Sequence, residues 1–260
     1  MTPAPSALAK SLVKLALTAG REIMAIYGTE FSAQMKGDLS PVTEADEVAE
    51  RIILAGLATL DPTTPVVSEE AASGGRIPQV GSKFYLVDPL DGTKEFVSKN
   101  GEFTVNIARI ENGIPVMGVV YAPAINRIFW GDFSIGAAEG KISPDDRIAW
   151  KQLRVRVRPD DGATVVASRS HRDMETEDFL KTIKVAKLVS AGSSLKFCLI
   201  AAGEADLYPR FGRTMEWDTA AGHAVLLAAG GKVLKIDGYP LNYGKSDRGF
   251  DNPGFIASAA

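Results

Sequence analysis

Tyr85-Leu86-Val87-Asp88-Pro89-Leu90-Asp91-Gly92-Thr93-Lys94-Glu95-Phe96 is an apolar, strand-like run that stops abruptly in two carboxylates, separated by Pro-Leu and followed by Gly-Thr. The layout suits a hard metal ion held at a strand end. Asp88 and Asp91 supply anionic oxygens, and Leu90 can turn its main-chain carbonyl toward the same ion. Gly92 lets the backbone approach closely, and Thr93 offers a hydroxyl to a metal-bound water. Asp-Pro and Asp-Gly are also common turn dipeptides, so a plain turn is the competing reading.

Three further stretches share this acidic character. Val66-Val67-Ser68-Glu69-Glu70 again ends an apolar run in carboxylates, Ser40-Pro41-Val42-Thr43-Glu44-Ala45-Asp46 precedes a helical pattern, and Glu216-Trp217-Asp218 precedes another. Each also has a local reading: Glu69 and Glu70 as a solvated loop, Thr43 with Asp46 as a capping-box variant, and Asp218 as the N-cap of a helix from Thr219 to Ala229. Four such element ends in one chain favour a shared cation, because clustered carboxylates repel unless a positive ion neutralises them.

With 260 residues and 45% hydrophobic content, the chain can bury a large core and sits at the upper edge of a single domain. A formal net charge of -3 argues against a binder of nucleic-acid polymers, which needs clustered excess cation. A small anionic substrate can still be met by local basic residues. The one cysteine, Cys198, excludes an intrachain disulfide and a cysteine-rich zinc site and fits a reducing compartment. Its neighbours Phe197, Leu199 and Ile200 mark an inert core thiol. The N-terminus has no basic stretch followed by an uninterrupted apolar core, and its first helical pattern carries Lys10, Lys14, Arg21 and Glu22, so a cytoplasmic enzyme is expected.

Leu8, Leu12, Leu15, Ala19, Ile23 and Ile26 recur at helical spacing, and Gly28 is expected to end that helix. A second helix is predicted from Ala45 to Leu60. Strands are predicted at Val66–Val67, Phe84–Val87, Phe103–Ile110, Pro115–Tyr121, Ile128–Phe133 and Ala137–Ala138. These make a mixed α+β half, residues 1–145, ending in the polar stretch Ser143-Pro144-Asp145-Asp146. Residues 146–260 alternate strands (Thr164–Ala167, Lys187–Ser190, Ala205–Tyr208) with helices (Thr176–Ile183, Ser194–Ala202, Thr219–Ala229), an α/β pattern. Arg154, Arg156 and Arg158 alternate with Val155 and Val157 as on a solvated strand face.

Taken in order, Ser68-Glu69-Glu70, Asp88-Pro89-Leu90-Asp91-Gly92-Thr93 and Trp217-Asp218-Thr219-Ala220-Ala221-Gly222-His223 resemble the inositol monophosphatase superfamily of magnesium-dependent, lithium-sensitive phosphatases. The stretches Asn100–Asn106, Ala167–Arg172 and Gly192–Cys198 are similar to those of its bacterial 3'(2'),5'-bisphosphate nucleotidases. The resemblance runs from about Leu8 to Gly254. It implies a layered αβαβα sandwich of the sugar phosphatase type, in the α+β / α/β class.

The resemblance also implies an ion set of two to three Mg2+, with Mn2+ as the alternative. Glu69, Asp88 and the Leu90 carbonyl would bind the first; Asp88, Asp91 and Asp218 the second; Asp46 and Glu69 a looser third through water. An oxygen-only ligand set agrees, since it selects Mg2+ or Mn2+ over zinc. Thr93 would orient the attacking water while Asp46 or Glu69 accepts its proton. Glu69, Leu90, Asp91, Gly92, Thr93 and Asp218 would also touch substrate. His171, Ser193, Lys196 and Arg210 would hold the nucleotide side, with Arg213 the weaker candidate cation; Ser193 also reads as an N-cap and His171 as an exposed turn histidine. His223 reads as a packing histidine.

The implied reaction is hydrolysis of the 3'-phosphate of adenosine 3',5'-bisphosphate to AMP and phosphate, with the 5'-phosphosulfate analogue as a further substrate, in sulfur assimilation. An inositol-1-phosphatase or broad sugar phosphatase is the nearest alternative, and an inactive nucleotide-binding regulatory module the next. The partner expected is a small nucleotide bisphosphate, with monomer or homodimer and peripheral membrane association left open.

Overall fold

The computed structural model describes residues 2–35, 41–167 and 174–259. Helix α1 (Ala7–Tyr27) forms because Leu12, Val13, Ala16, Ala19 and Ile23 fall on one buried stripe, and it starts where Ser6 accepts a hydrogen bond from Ala9 N. Gly28 ends it, as the sequence predicts. A short hairpin, β1 (Gln34–Met35) and β2 (Pro41–Val42), leads into α2 (Glu44–Leu60). Thr43 and Asp46 form a capping box at the start of α2.

The chain then builds β3 (Val66–Ser68), α3 (Glu69–Ser73), β4 (Lys83–Asp91), α4 (Thr93–Val97), β5 (Thr104–Glu111), β6 (Ile114–Ala122), β7 (Arg127–Asp132), β8 (Gly136–Ile142) and β9 (Ile148–Gln152). These seven strands form one sheet in chain order, antiparallel throughout except for the parallel pair β3 and β4. Side chains alternate across it with period 2. Phe84, Leu86, Ala108, Ile110, Val120 and Phe129 enter one core, and Tyr85, Val87, Val105, Ile107, Val119 and Trp130 the other. Burial on both faces explains the near-continuous apolar runs. The polar residues Ser143 to Asp146 form the turn between β8 and β9.

The remaining elements are β10 (Ala163–Ala167), α5 (Met174–Lys181), β11 (Val185–Ser190), α6 (Leu195–Ala201), β12 (Leu207–Arg210), β13 (Thr214–Met215), α7 (Glu216–Ala228), β14 (Lys232–Lys235), β15 (Asp251–Asn252) and β16 (Phe255–Ser258). A second sheet has the order β11-β10-β12-β16-β14. Helices α1 and α2 cover one face of the large sheet, α6 and α7 lie between the two sheets, and α5 lies against β12. The result is the αβαβα layering expected. Helix α7 sits so close to the large sheet that a Cβ on Gly118 would come within 2.4 Å of the Ala221 carbonyl oxygen.

Two sequence expectations need correction. Residues 153–159 are not a strand: Val155 N donates to Ala229 O, while Arg156 pairs with Asp206 through Nε and Nη2, both at 2.8 Å, and with Thr164 Oγ1 at 3.0 Å. Alternation of Arg and Val imitated a strand that has no partner. Helix α7 starts at Glu216, so Asp218 is not its N-cap but its third residue, accepting a hydrogen bond from Met215 N at 2.8 Å. Among the described residues no helix is long and apolar enough to cross a membrane.

Candidate active site

Register brings the first carboxylates together. Because β3 runs parallel to β4 with Ser68 opposite Val87, both strands end at the same edge of the sheet and release Glu69 and Asp88 side by side. The β4–β5 ladder then loses its regular register between Asp88, opposite Asn106, and Asp91, opposite Thr104. That irregularity holds Pro89 and Leu90 and brings Asp91 to the rim. Gly92 follows in a left-handed conformation, φ +92°, where a Cβ would also lie 2.3 Å from Ser193 Oγ. Only glycine fits there, and the chain turns into α4 at Thr93.

A cavity of about 410 Å³ opens at this edge. Its lining brings Glu69, Asp88, Leu90, Asp91, Gly92, Thr93 and Asp218 together with Ser193, Lys196, Arg210 and Arg213, and with the rings of Phe197 and Tyr208. Asp88 is buried, while Glu69, Asp91 and Asp218 are partly exposed to the cavity. Asp46 belongs to the same site at one remove, since the Thr93 hydroxyl donates to its Oδ1 at 3.0 Å. His171, with the stretch around it, lies outside the described residues.

Electrostatics at the acidic wall are unfavourable in the ion-free chain. Burial pushes the Asp88 carboxyl well above the usual range, and the charges of Glu69, Asp91 and Asp218 push it further. Asp218 is raised by burial and then by Asp91 and Glu69. Burial lifts Asp91 to about 6 against the opposing pull of Lys196 and the hydrogen bonds from Asn106 and Ser194. Asp46 is raised by burial, which outweighs its hydrogen bonds from Thr43 and Thr93.

Among the described residues, no three carboxylate, imidazole or thiol groups already converge into a closed metal-ligand set. The donor chemistry nevertheless fits a hard divalent cation. All the donors are oxygens, and a hydrogen bond between the Asp88 and Glu69 carboxyls raises Asp88. Two carboxyls share such a bond only while one keeps a proton, and a cation between them would replace that proton.

Among the cations, burial lowers Lys196 to about 8 against the pull of Asp91, its ammonium donating to Ser193 O at 2.7 Å and Ala191 O at 3.3 Å and lying 5.2 Å from the Tyr208 ring centroid. The Ser193 hydroxyl is within hydrogen-bonding reach of Asp91 O at 2.7 Å and Glu102 O at 2.9 Å. Arg210 donates to Gly212 O and Arg213 O. Arg213 is exposed and pairs with Asp251 at 2.6 Å. His223 is the packing histidine expected, its Nδ1 2.9 Å from Tyr243 Oη, and burial holds it down to about 3. Cys198 is buried and its thiol is pushed up by that burial.

Two acidic neighbours divide their roles. Glu216, expected alongside Asp218, is fully buried and turned away from the cavity, accepting from Gly244 N at 2.7 Å and Lys245 N at 2.9 Å and pairing with Lys245 Nζ at 2.7 Å. Residues missed by motif reading are Asn106, which donates from Nδ2 to Asp91 Oδ2 at 3.1 Å, and Ser194, whose N–H donates to the same oxygen at 2.7 Å. Their one sequence signal is a polar residue set in an apolar strand, Val105-Asn106-Ile107, and a second serine before the helix.

Comparison with known proteins agrees with this geometry. Residues 5–258 match the inositol monophosphatase family model. The chain is 50% identical over 248 residues to the 3'(2'),5'-bisphosphate nucleotidase CysQ of Escherichia coli K12, covering 94% of this chain and 97% of that one. It is 43% identical to CysQ of Buchnera aphidicola, covering 95% of this chain and 92% of the relative. The crystal structure of CysQ from Bacteroides thetaiotaomicron superposes with a TM-score of 0.80 at 39% identity, covering 96% of each chain. With nearly its whole length matched and the acidic motifs gathered at one cavity, the chain belongs to the inositol monophosphatase family.

Proposed function

We propose that the chain is a magnesium-dependent 3'(2'),5'-bisphosphate nucleotidase that hydrolyses the 3'-phosphate of adenosine 3',5'-bisphosphate to AMP and phosphate, and accepts the 5'-phosphosulfate analogue. The observation that carries this reading is a single cavity lined both by the carboxylates Glu69, Asp88, Asp91 and Asp218 and by the cations Lys196, Arg210 and Arg213. A substrate with two phosphates has one for the ions that the carboxylates would hold and one for these cations. The nearly full-length similarity to CysQ proteins supports the same reading.

In the proposed mechanism, Glu69, Asp88 and the Leu90 carbonyl hold one Mg2+, Asp88, Asp91 and Asp218 a second, and Asp46 with Glu69 a third through water; Mn2+ would substitute. When bound, the ions acidify water and neutralise charge on the phosphoryl and leaving oxygens. The Thr93 hydroxyl donates its hydrogen bond to Asp46 and so keeps its lone pairs for the attacking water, whose proton would pass to Asp46 or Glu69. Gly92, whose missing Cβ lets Ser193 pack against the turn, would meet the reacting phosphate with its backbone, beside that of Thr93.

Lys196 spends two N–H donors on main-chain carbonyls and turns the third toward the remote phosphate, with Ser193, Arg210 and His171 completing the nucleotide side. In this division residues 1–145 supply most metal ligands, and residues 146–260 supply the nucleotide contacts and Asp218. Its place would be the cytoplasm, where sulfate assimilation produces the substrate, and lithium would inhibit by competing for the second ion position.

Steady-state turnover of adenosine 3',5'-bisphosphate, inositol 1-phosphate and fructose 1,6-bisphosphate tests the reading. The adenosine bisphosphate should give the highest kcat/KM, and only with Mg2+ or Mn2+ present. A preference for either sugar phosphate would replace the nucleotidase with a sugar phosphatase, and ion binding without turnover of any of the three would leave a binding module.

A further inference from the structure

Asp91 and Asp218 reach the cavity from different elements, β4 and α7, yet one buried hydrogen-bond chain joins them. It starts at Thr104, whose Oγ1 donates to Asn106 Oδ1 at 3.0 Å. That bond fixes the amide, so the Asn106 NH2 faces the other way, with one proton on Asp91 Oδ2 and the other on Ser194 Oγ, each at 3.1 Å. Having accepted from Asn106, the Ser194 hydroxyl donates to the Asp218 carbonyl at 2.6 Å. Ser194 N closes the loop on Asp91 Oδ2 at 2.7 Å. Every donor has one acceptor, and the chain runs in a single direction from β5 to α7.

Asn106 is fully inaccessible and Ser194 is 1% exposed, so neither can trade these bonds for water. A leucine would suit Asn106's place between Val105 and Ile107 as packing. What the asparagine does instead is occupy Asp91 Oδ2, leaving Oδ1 outside this chain of bonds. Through Ser194 it also tethers the main-chain carbonyl of Asp218 in the first turn of α7, where Met215 N holds the carboxylate at 2.8 Å.

We infer that Asn106 and Ser194 are positioning residues that hold Asp91 and Asp218 as one unit, so that a divalent cation meets both carboxylates at a fixed separation. The inference rests on the metal-dependent reading above. It concerns the hydrogen-bonded shell behind the carboxylates, where substitution typically weakens metal binding by about 10- to 100-fold.

Calorimetric titration of Mg2+, and of Mn2+ followed by its paramagnetic resonance signal, into the full chain, Asn106→Leu, Ser194→Ala and the double variant tests it. Each single change should weaken one class of ion by about tenfold while leaving the remaining ion binding within about twofold. The double variant should be little worse than Asn106→Leu, because a chain broken once is already broken. Circular dichroism checks the fold, and if Asn106→Leu does not fold, Ser194→Ala, which removes a single oxygen, decides alone. Unchanged affinities, or equal weakening of every ion class, would overturn the positioning role. If the unaltered chain binds neither ion, the metal-dependent function fails and this inference with it; if it binds and the variants match it, the positioning role alone fails.

Discussion

Thr93 Oγ1 donates to Asp46 Oδ1 at 3.0 Å across 47 residues of chain, linking the first residue of α4 to the capping box of α2. Asp46 therefore serves two ends at once, since its Oδ2 also accepts from Thr43 N at 2.8 Å and Thr43 Oγ1 at 2.7 Å. The capping reading of this residue holds, and the same carboxyl is bonded to the threonine proposed to orient the attacking water. Thr93→Val should lower kcat by about 10²-fold or more, the scale of losing acid–base assistance, while Thr93→Ser keeps most of the activity. Single-turnover rates at saturating Mg2+ measure this, and a valine variant within a few-fold of the parent would remove Thr93 from the chemistry.

Asp91→Asn separates catalysis from folding. The amide oxygen can still accept from Asn106 and Ser194, but the charge is gone. Turnover should fall by at least about a hundredfold, the scale of losing a major electrostatic stabiliser. The ion-free chain should melt no lower than the parent, because burial disfavours the Asp91 charge more than Lys196 and the hydrogen bonds from Asn106 and Ser194 favour it. Near-normal kcat at saturating Mg2+ would exclude Asp91 as a ligand.

Lys196→Ala should act on the remote phosphate alone. A charge-assisted hydrogen bond is worth about 1.5–3 kcal/mol, so kcat/KM for adenosine 3',5'-bisphosphate should drop by roughly tenfold to a hundredfold. Adenosine 3'-monophosphate should lose much less. Part of the loss can fall on kcat, because remote binding energy also positions the reacting group. Equal losses on the two substrates would make Lys196 a structural cation, holding Ser193 O and Ala191 O in place.

Magnesium should stabilise the chain more as pH rises. In the ion-free chain Asp88 and Asp218 are raised well above the carboxylate range and Asp91 to about 6, so below that pH the native state binds more protons than the unfolded one. The Asp91 contribution to stability is favourable in acid and is lost as pH rises through about 6, and those of Asp88 and Asp218 are lost in the same direction. His223, held to about 3, works in the opposite sense and costs stability as pH falls below its ordinary value. Mg2+ binding needs ionised carboxylates and so releases protons. The melting-temperature gain from saturating Mg2+ should therefore grow between about pH 5 and pH 7; a gain that stays flat across that range would contradict it.

Long elements with a clear period were legible in the sequence. Leu12, Ala19 and Ile23 announce α1, and the buried runs announce β4 to β7. Helix α3, five residues long, completes too little of a period to register. Strand β14, Lys232–Lys235, and strand β16, Phe255–Ser258, are four residues each and find their ladder only through one another and β12. At the site, acidic residues at element ends were visible as motifs. Asn106 and Ser194 were not, because a polar residue in an apolar run says only that it needs partners, and register with Asp88 and Asp91 is what names them.

The parallel pairing of β3 with β4 sets Glu69 against Asp88 through the register of a backbone ladder. One extra residue inserted in β3 would leave every carboxylate in the chain and still carry Glu69 past Asp88, while sending Val67 out of one core and toward the other. Ion binding in this protein is thus vulnerable to a change of phase that alters no ligand. Families of such insertions, scored for fold and for ion affinity separately, would map how much misalignment the centre tolerates.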